Sequence, residues 1–146
     1  MKVSTKGRYG LRIMLELALN HGGGPVLVST IAQKQSLPGK YIHVLVGGLK
    51  AAGLVRAVRG PNGGLELGRE PARITPLDIV VALEGRISAA DCVNDPGGCD
   101  RSESCVAKDV WSELSAAMEA SLSTHTLADL ADRERTRAGG TDGYSI

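Results

Sequence analysis

Three cysteines within a span of fourteen residues are the side chains of this 146-residue sequence that are best suited to chemistry. Their spacing is Cys92-x6-Cys99-x5-Cys105, and Pro96-Gly97-Gly98 lies between the first two. Iron in an iron–sulfur cluster is held by cysteine thiolates, and a loop containing proline and glycine can fold its backbone tightly around such a cluster. The pattern therefore makes Cys92, Cys99 and Cys105 candidate ligands of an iron–sulfur cluster.

Other uses of the three thiols stay open from the sequence. A zinc site is one, although the sequence contains no C-x-x-C pair. The thiols could also form a redox switch, or they could be inert, buried cysteines. The odd number of cysteines and the lack of an apolar signal segment after Met1 argue against the disulfides of a secreted protein. We therefore expect a cytoplasmic protein.

The sequence lacks the motifs of the common enzyme chemistries. It has no nucleophile elbow and no phosphate-binding loop between a strand and a helix. Its longest uninterrupted apolar run, Ile79–Leu83, is too short to cross a bilayer. We therefore expect neither an enzyme nor a membrane-bound protein, which leaves a binding or regulatory role.

Charge is distributed unevenly between the two halves of the chain. Residues 1–73 contain 11 Lys or Arg and three acidic residues, a formal charge of +8. Residues 74–146 contain six basic and 13 acidic residues, a formal charge of −7, so the net charge of +1 hides the asymmetry. A basic half joined to an acidic half predicts an anionic partner for the amino-terminal half only.

The amino-terminal half shows the periodicity of three helices. The first is predicted over residues 7–20, and the second is short and capped by Ser29 or Thr30. A turn at Ser36-Leu37 leads into a third helix that begins at Pro38. The third helix has an aliphatic inner face that consists of Ile42, Leu45, Val46 and Leu49.

After the third helix the pattern changes from helical to alternating. Leu54–Arg59 and Leu65–Arg69 alternate around a turn that contains three glycines, which predicts a β-hairpin with a basic tip. Helix, short helix, turn, helix and basic hairpin is the order of a winged helix-turn-helix. The sequence thus predicts a mainly α fold with a small β-hairpin wing that binds double-stranded DNA.

The outward face of the third helix and the hairpin tip contain the residues expected to contact DNA. An α-helix fits the major groove of B-DNA, and a glycine-containing tip can approach phosphates or the minor groove closely. Basic residues near the start of the first helix add contacts to the phosphate backbone. The predicted DNA-binding residues are Lys6, Arg8, Lys40, Tyr41, His43, Val44, Arg59 and Gly60.

The carboxy-terminal half contains a long amphipathic helix, predicted over about residues 104–123. We expect a winged-helix domain over residues 1–85 and a cysteine loop over 86–105. A dimerisation helix and a short final helix are expected over 104–132, and a disordered tail over 133–146.

Several separate motifs together resemble the Rrf2 family of bacterial transcriptional regulators, and in particular its iron–sulfur cluster branch of IscR-, NsrR- and RirA-like proteins. The resemblance covers residues 1 to about 132. The motifs that support it are Leu37-Pro38-x-x-Tyr41-Ile42, Leu49-x-x-Ala52-Gly53-Leu54-Val55, Arg59-Gly60-x-x-Gly63-Gly64, Ser4–Arg12, Ile74-Thr75-x-x-Asp78-Ile79, Trp111 and Thr126-Leu127-x-Asp129-Leu130.

The resemblance implies a homodimeric repressor that binds a pseudo-palindromic operator, with the long helix crossing to the partner subunit. It also implies a [2Fe-2S] or [4Fe-4S] cluster on the three cysteines. Members of the family take a fourth ligand from a histidine three positions after the last cysteine or from an acid on the partner's first helix. This chain has Lys108 and Arg8 at those positions, so the fourth ligand is unknown. The alternative is a cluster-free regulator controlled by thiol redox, a small effector or a partner protein.

Overall fold

The computed structural model describes residues 2–143, and its order of elements is that of a winged helix-turn-helix followed by two further long helices. Two short 3-10 turns lie at Pro71–Arg73 and Pro96–Gly98. The helices and strands are α1 (Thr5–Leu19), α2 (Val28–Gln35), α3 (Gly39–Ala51), β1 (Val55–Val58), β2 (Gly64–Leu67), α4 (Pro76–Glu84), α5 (Asp91–Asn94), α6 (Val106–Ser123) and α7 (Leu127–Gly143). The predicted fold class is confirmed.

The helix-turn-helix consists of α2 and α3, joined by a turn in which Ser36 adopts the left-handed conformation with a φ of 54°. The predicted inner face of α3 is confirmed, because its four aliphatic residues are buried. The predicted cap of α2 is wrong: Leu27 is the N-cap, and Ser29 and Thr30 lie in the first turn. The chain is extended at Val26, which pairs with Leu65, and the Leu27 carbonyl already accepts the first helical hydrogen bonds, from the Thr30 and Ile31 N–H groups.

The wing is a two-stranded antiparallel hairpin in which Val55 is paired with Leu67 and Val58 with Gly64. Leu65 and Leu67 point into the core with exposed fractions of 6% and 5%, whereas most of β1 is exposed. Arg56 and Glu66 are opposite each other and form an ion pair with a 2.8 Å separation between Nη2 and Oε1. The hairpin is therefore attached to the core along one strand, and its tip projects into solvent.

A reciprocal capping box begins α4. The Thr75 hydroxyl accepts a hydrogen bond from the Asp78 N–H at 3.2 Å, and the Asp78 carboxylate accepts one from the Thr75 N–H at 2.9 Å. Ile79 and Val80 of this helix are buried, and α4 packs against α1 and α3. The cap therefore fixes where α4 begins within the winged-helix part of the chain (residues 2–85), called the head below.

The final helix is much longer than expected, because α7 continues to Gly143. The expected disordered tail is wrong for residues 133–143, and residues 144–146 lie outside the described part of the chain. Two features support the extension as far as Arg135: Ala131, Arg133 and Glu134 favour helix formation, and Arg135 donates a hydrogen bond to the Leu19 carbonyl at 3.4 Å. Leu127 is fully buried in the same core as residues of α1, α3 and α4. The start of α7 therefore packs with residues 1–85, on the other side of the expected domain boundary.

Among residues 2–143, no helix is both long enough and apolar enough to span a membrane.

Replacing Thr75 by alanine should lower the free energy of unfolding by about 1 kcal/mol, because the first turn of α4 loses a partner for the Asp78 N–H. Ser29→Ala is the matched control: Ser29 is exposed and caps no helix, so its change should stay within about 0.5 kcal/mol. Urea denaturation followed by circular dichroism measures both. A loss of stability in Ser29→Ala equal to that in Thr75→Ala would contradict the assigned caps.

Candidate nucleic-acid interface

The outward face of α3 exposes both polar and apolar side chains to solvent. Lys40, His43 and Val44 are all exposed, and the side chain of Val44 has an exposed fraction of 65% although it is aliphatic. The opposite face of α3 is buried in the core and holds the helix backbone in place, while these three side chains remain free to contact a ligand. The buried residues of that face are Ile42, Leu45, Val46 and Leu49. This arrangement suits insertion of one helix face into a DNA groove.

Tyr41, the remaining predicted DNA contact on α3, is half-buried. Its ring packs edge-to-face on the ring of Tyr9 of α1, with 5.8 Å between centroids and an interplanar angle of 89°. The guanidinium groups of Arg8 and Arg12 lie 5.7 Å and 5.2 Å from the Tyr9 centroid. Tyr41 thus joins α3 to α1, and the exposed Arg8 is brought to the edge of the same surface.

A polar network fixes the end of α2 on α1. The Arg12 guanidinium donates to the Gln35 side-chain oxygen at 2.7 Å and to the Gln35 carbonyl at 2.8 Å. The Gln35 amide in turn donates to the Glu16 carboxylate at 2.6 Å. The sequence pattern did not identify these contacts, because Arg12 and Gln35 are 23 residues apart and lie on different helices.

The hairpin tip is narrow and basic. Arg59 and Gly60 are exposed, and Gly60 has a φ of 106°, a conformation that favours glycine. Gly63 is buried against the opposite strand, where a Cβ atom would lie 2.1 Å from the Val58 carbonyl oxygen. A larger residue at position 63 would therefore force the two strands apart and displace the tip. Lys6, the last of the predicted contacts, is exposed in the first turn of α1.

The three cysteines lie on the segment that joins α4 to α6. Cys92 is half-buried in α5, Cys99 is exposed after the second 3-10 turn, and Cys105 is the half-buried N-cap of α6. All three are free thiols. This donor set suits an iron–sulfur cluster, but within residues 2–143 no three or more Cys, His, Asp or Glu side chains are gathered into a group that could hold a metal ion.

The same segment is more ordered than the expected loop. It contains α5 and a 3-10 turn, and the ammonium group of Lys108 donates to the Ser102 hydroxyl at 2.6 Å. The connector between α4 and α5 (residues 85–90) is held to α6. The buried Ser115 hydroxyl of α6 accepts a hydrogen bond from the Ala89 N–H at 2.8 Å and donates one to the Trp111 carbonyl at 2.7 Å. The cysteine segment is therefore attached at both ends.

One side of α6 exposes apolar side chains. Val106, Val110 and Trp111 have exposed fractions of 77%, 54% and 41%. Within the chain, α6 packs against α4 and α5. Large apolar side chains at helical spacing on an exposed face are typical of a surface that contacts a partner.

The sequence matches a known family, and the fold matches solved structures. A sequence model of the Rrf2 family, described as iron-dependent transcriptional regulators, matches residues 3–133. The HTH-type transcriptional regulator CymR of Bacillus subtilis (strain 168) is 44% identical over 131 residues, which are 90% of this chain and 90% of that protein.

Two solved structures cover most of the chain. The structure of CymR, the global cysteine regulator of B. subtilis, superposes with a TM-score of 0.76 at 42% identity, and covers 91% of this chain and 98% of that chain. T. potens IscR superposes with a TM-score of 0.75 at 38% identity, covering 92% and 88%. The resemblance seen in the sequence motifs is therefore confirmed, and this chain belongs to the Rrf2 family of transcriptional regulators.

Proposed function

We propose that two copies of this chain bind double-stranded DNA at a pseudo-palindromic operator, with α3 of each copy in a major groove and each hairpin tip against the backbone or minor groove. The observation that carries the proposal is the division of α3 into a buried aliphatic face and an exposed face with Lys40, His43 and Val44. In this arrangement Lys40 contacts phosphate or base edges, and Val44 is suited to contact a thymine methyl group. Arg59 and Gly60 approach the backbone from the wing, and Arg8 and Lys6 from α1.

The exposed apolar side of α6 supports the dimer. Two such faces that pack on each other would remove Val106, Val110 and Trp111 from water, which favours association. A two-fold axis at α6 presents two heads to successive major grooves on one side of the duplex, about 34 Å apart. The operator would then have two half-sites related by inverted symmetry.

The cysteine segment is the proposed sensor, and an iron–sulfur cluster on Cys92, Cys99 and Cys105 is its proposed ligand. Three free thiols and the iron-dependent description of the family support this. Since the thiols are not gathered in the described chain, the segment would have to close on the cluster. A change in the segment would reach the head through the connector and α4. Coupling of this kind changes affinity by about 5- to 150-fold.

A second candidate is a cluster-free regulator that responds to thiol redox, a small effector or a partner protein. Two observations favour it: within residues 2–143 the three thiols are not gathered into a group that could hold a metal ion, and one similar structure is that of a global cysteine regulator. The two candidates share the DNA-binding head and differ in what the cysteine segment binds.

Lys40→Ala and Arg59→Ala should each weaken binding to a mixed-sequence 30-base-pair duplex. Each should lower the magnitude of the slope of log K against log salt by about 1.8, because one phosphate contact worth about 0.9 is lost from each of the two copies. Fluorescence anisotropy over a range of salt concentrations measures the slope. Arg133→Ala removes the same charge from α7, outside the helix-turn-helix and wing, and should leave the slope unchanged. Equal slopes in all three variants and the parent chain would refute the proposed contacts.

Val110→Glu should convert the dimer to a monomer and weaken operator binding, because a charge would be buried in the proposed interface. Ala116→Glu introduces the same charge at another exposed position of α6, about 120° around the helix, and should remain dimeric. Sedimentation velocity distinguishes the two. A dimer that survives Val110→Glu would place the interface elsewhere.

Protein purified without oxygen should be brown and contain iron and sulfide, and Cys99→Ser should abolish the colour because a cluster ligand is lost. Ser104→Ala, a substitution in the same segment, should retain it. Cluster-loaded and cluster-free protein should differ in operator affinity by about 5- to 150-fold. A colourless, iron-free parent protein would overturn the cluster proposal and favour the second candidate.

A further inference from the structure

A carboxylate from the end of α4 caps the start of α1. The Oε1 atom of Glu84 accepts hydrogen bonds from the Ser4 N–H at 3.0 Å and the Gly7 N–H at 3.1 Å, and a third from the Ser4 hydroxyl. N–H groups in the first turn of a helix have no partner within the helix. Ser4, the N-cap, makes no side-chain capping hydrogen bond, so Glu84 supplies the acceptor that the local sequence lacks.

The start of α1 lies close to the end of α4 at two glycines, where an added Cβ atom would have to displace the end of a neighbouring side chain. A Cβ atom at Gly7 would lie 2.7 Å from the Glu84 Oε1 and 2.9 Å from the Val3 Cγ1. A Cβ atom at Gly10 would lie 2.1 Å from the Leu83 Cδ1. The start of α1 thus leaves space for the end of α4, and the carboxylate can reach the backbone.

The charge of Glu84 suits its position. The first turn of α1 contains no acidic residue, and its N-terminal end bears the positive end of the helix dipole. Lys6 and Arg8 are both exposed in the same turn. A carboxylate that accepts from backbone donors at the N-terminal end of a helix is stabilised by those hydrogen bonds and by the helix dipole.

We infer that Glu84 is a positioning residue for DNA binding, which holds the first turn of α1 so that Lys6 and Arg8 face the duplex. The inference rests on the proposed function, because it assumes that these two side chains contact DNA. Glu84 is also the last residue of α4, directly before the connector that Ser115 holds to α6. A displacement of the connector would therefore move the same two cations.

The test compares Glu84→Gln with Glu84→Ala in the full-length chain. Both remove the same charge, but glutamine keeps a side-chain oxygen that can accept from the Ser4 and Gly7 N–H groups. The probe is a fluorescein-labelled duplex selected by the parent chain from a randomised library. Glu84→Ala should bind it about 3- to 30-fold more weakly than Glu84→Gln, the range that corresponds to the loss of one helix cap.

Two further measurements separate positioning from a general loss of stability. Thr75→Ala removes a cap from the other end of α4 and should leave DNA affinity unchanged, at a temperature where every variant is folded. In a Lys6→Ala/Arg8→Ala background, the difference between Glu84→Ala and Glu84→Gln should disappear, because the side chains that Glu84 positions are gone.

Each outcome has a distinct meaning. If the parent chain selects no duplex, the proposed function fails and the inference fails with it. If the parent chain binds but Glu84→Ala and Glu84→Gln have equal affinity, or if Thr75→Ala weakens binding as much as Glu84→Ala, the inference alone is refuted. A difference that persists in the Lys6→Ala/Arg8→Ala background also refutes it.

Discussion

The burial of one face of α1 is the constraint on which the rest of the head depends. Ile13, Met14, Leu17 and Ala18 have exposed fractions of 2% or less, and the helix contacts α2, α3, α4, α7 and β2. Full burial of an aliphatic side chain of this size contributes about 1.5–3 kcal/mol. The chain contains no Phe, so the core is built mainly from branched aliphatic side chains that pack closely and have few alternative arrangements. Every element that faces the proposed DNA surface is therefore oriented by its packing on α1.

Polar and aromatic contacts extend this constraint from the core to the surface. The Tyr9–Tyr41 pair joins α1 to the proposed recognition helix, and the Arg12–Gln35 hydrogen bonds join it to the end of α2. Glu84 connects its first turn to α4. Side chains that keep an apolar body buried and a polar group exposed are suited to this role, because they transmit the position of the core to groups that contact a ligand.

The cysteine segment is separate from the core but attached to it at both ends. The connector before it begins at the end of α4, which packs in the head, and Ser115 holds the same connector to α6. The half-buried Cys105 is the N-cap of α6. A conformational change in this segment can therefore affect the head and the apolar side of α6 together, which is the geometry that a regulator of DNA affinity requires.

The sequence by itself determined the features that arise from neighbouring residues. The aliphatic face of α3, the capping box of Thr75 and Asp78, and the alternation of the hairpin all depend on residues two to seven positions apart. Local spacing is enough there, because side chains at those separations share one face of a helix or strand. The family motifs, which combine several such segments, were sufficient to identify the Rrf2 family.

The tertiary structure decided what distant residues do to one another. Leu127 is fixed to the core by its buried side chain and by its N–H, which donates to the Ile74 carbonyl at 2.7 Å, and this docks the start of α7. Glu84 caps a helix that begins 79 residues earlier in the chain. The three cysteines are near in sequence but are not gathered in the described chain. The periodicity of a sequence indicates which face of a helix or strand is apolar. It does not indicate what that face packs against, because the partner depends on the packing of distant elements and on backbone donors elsewhere in the fold that need an acceptor.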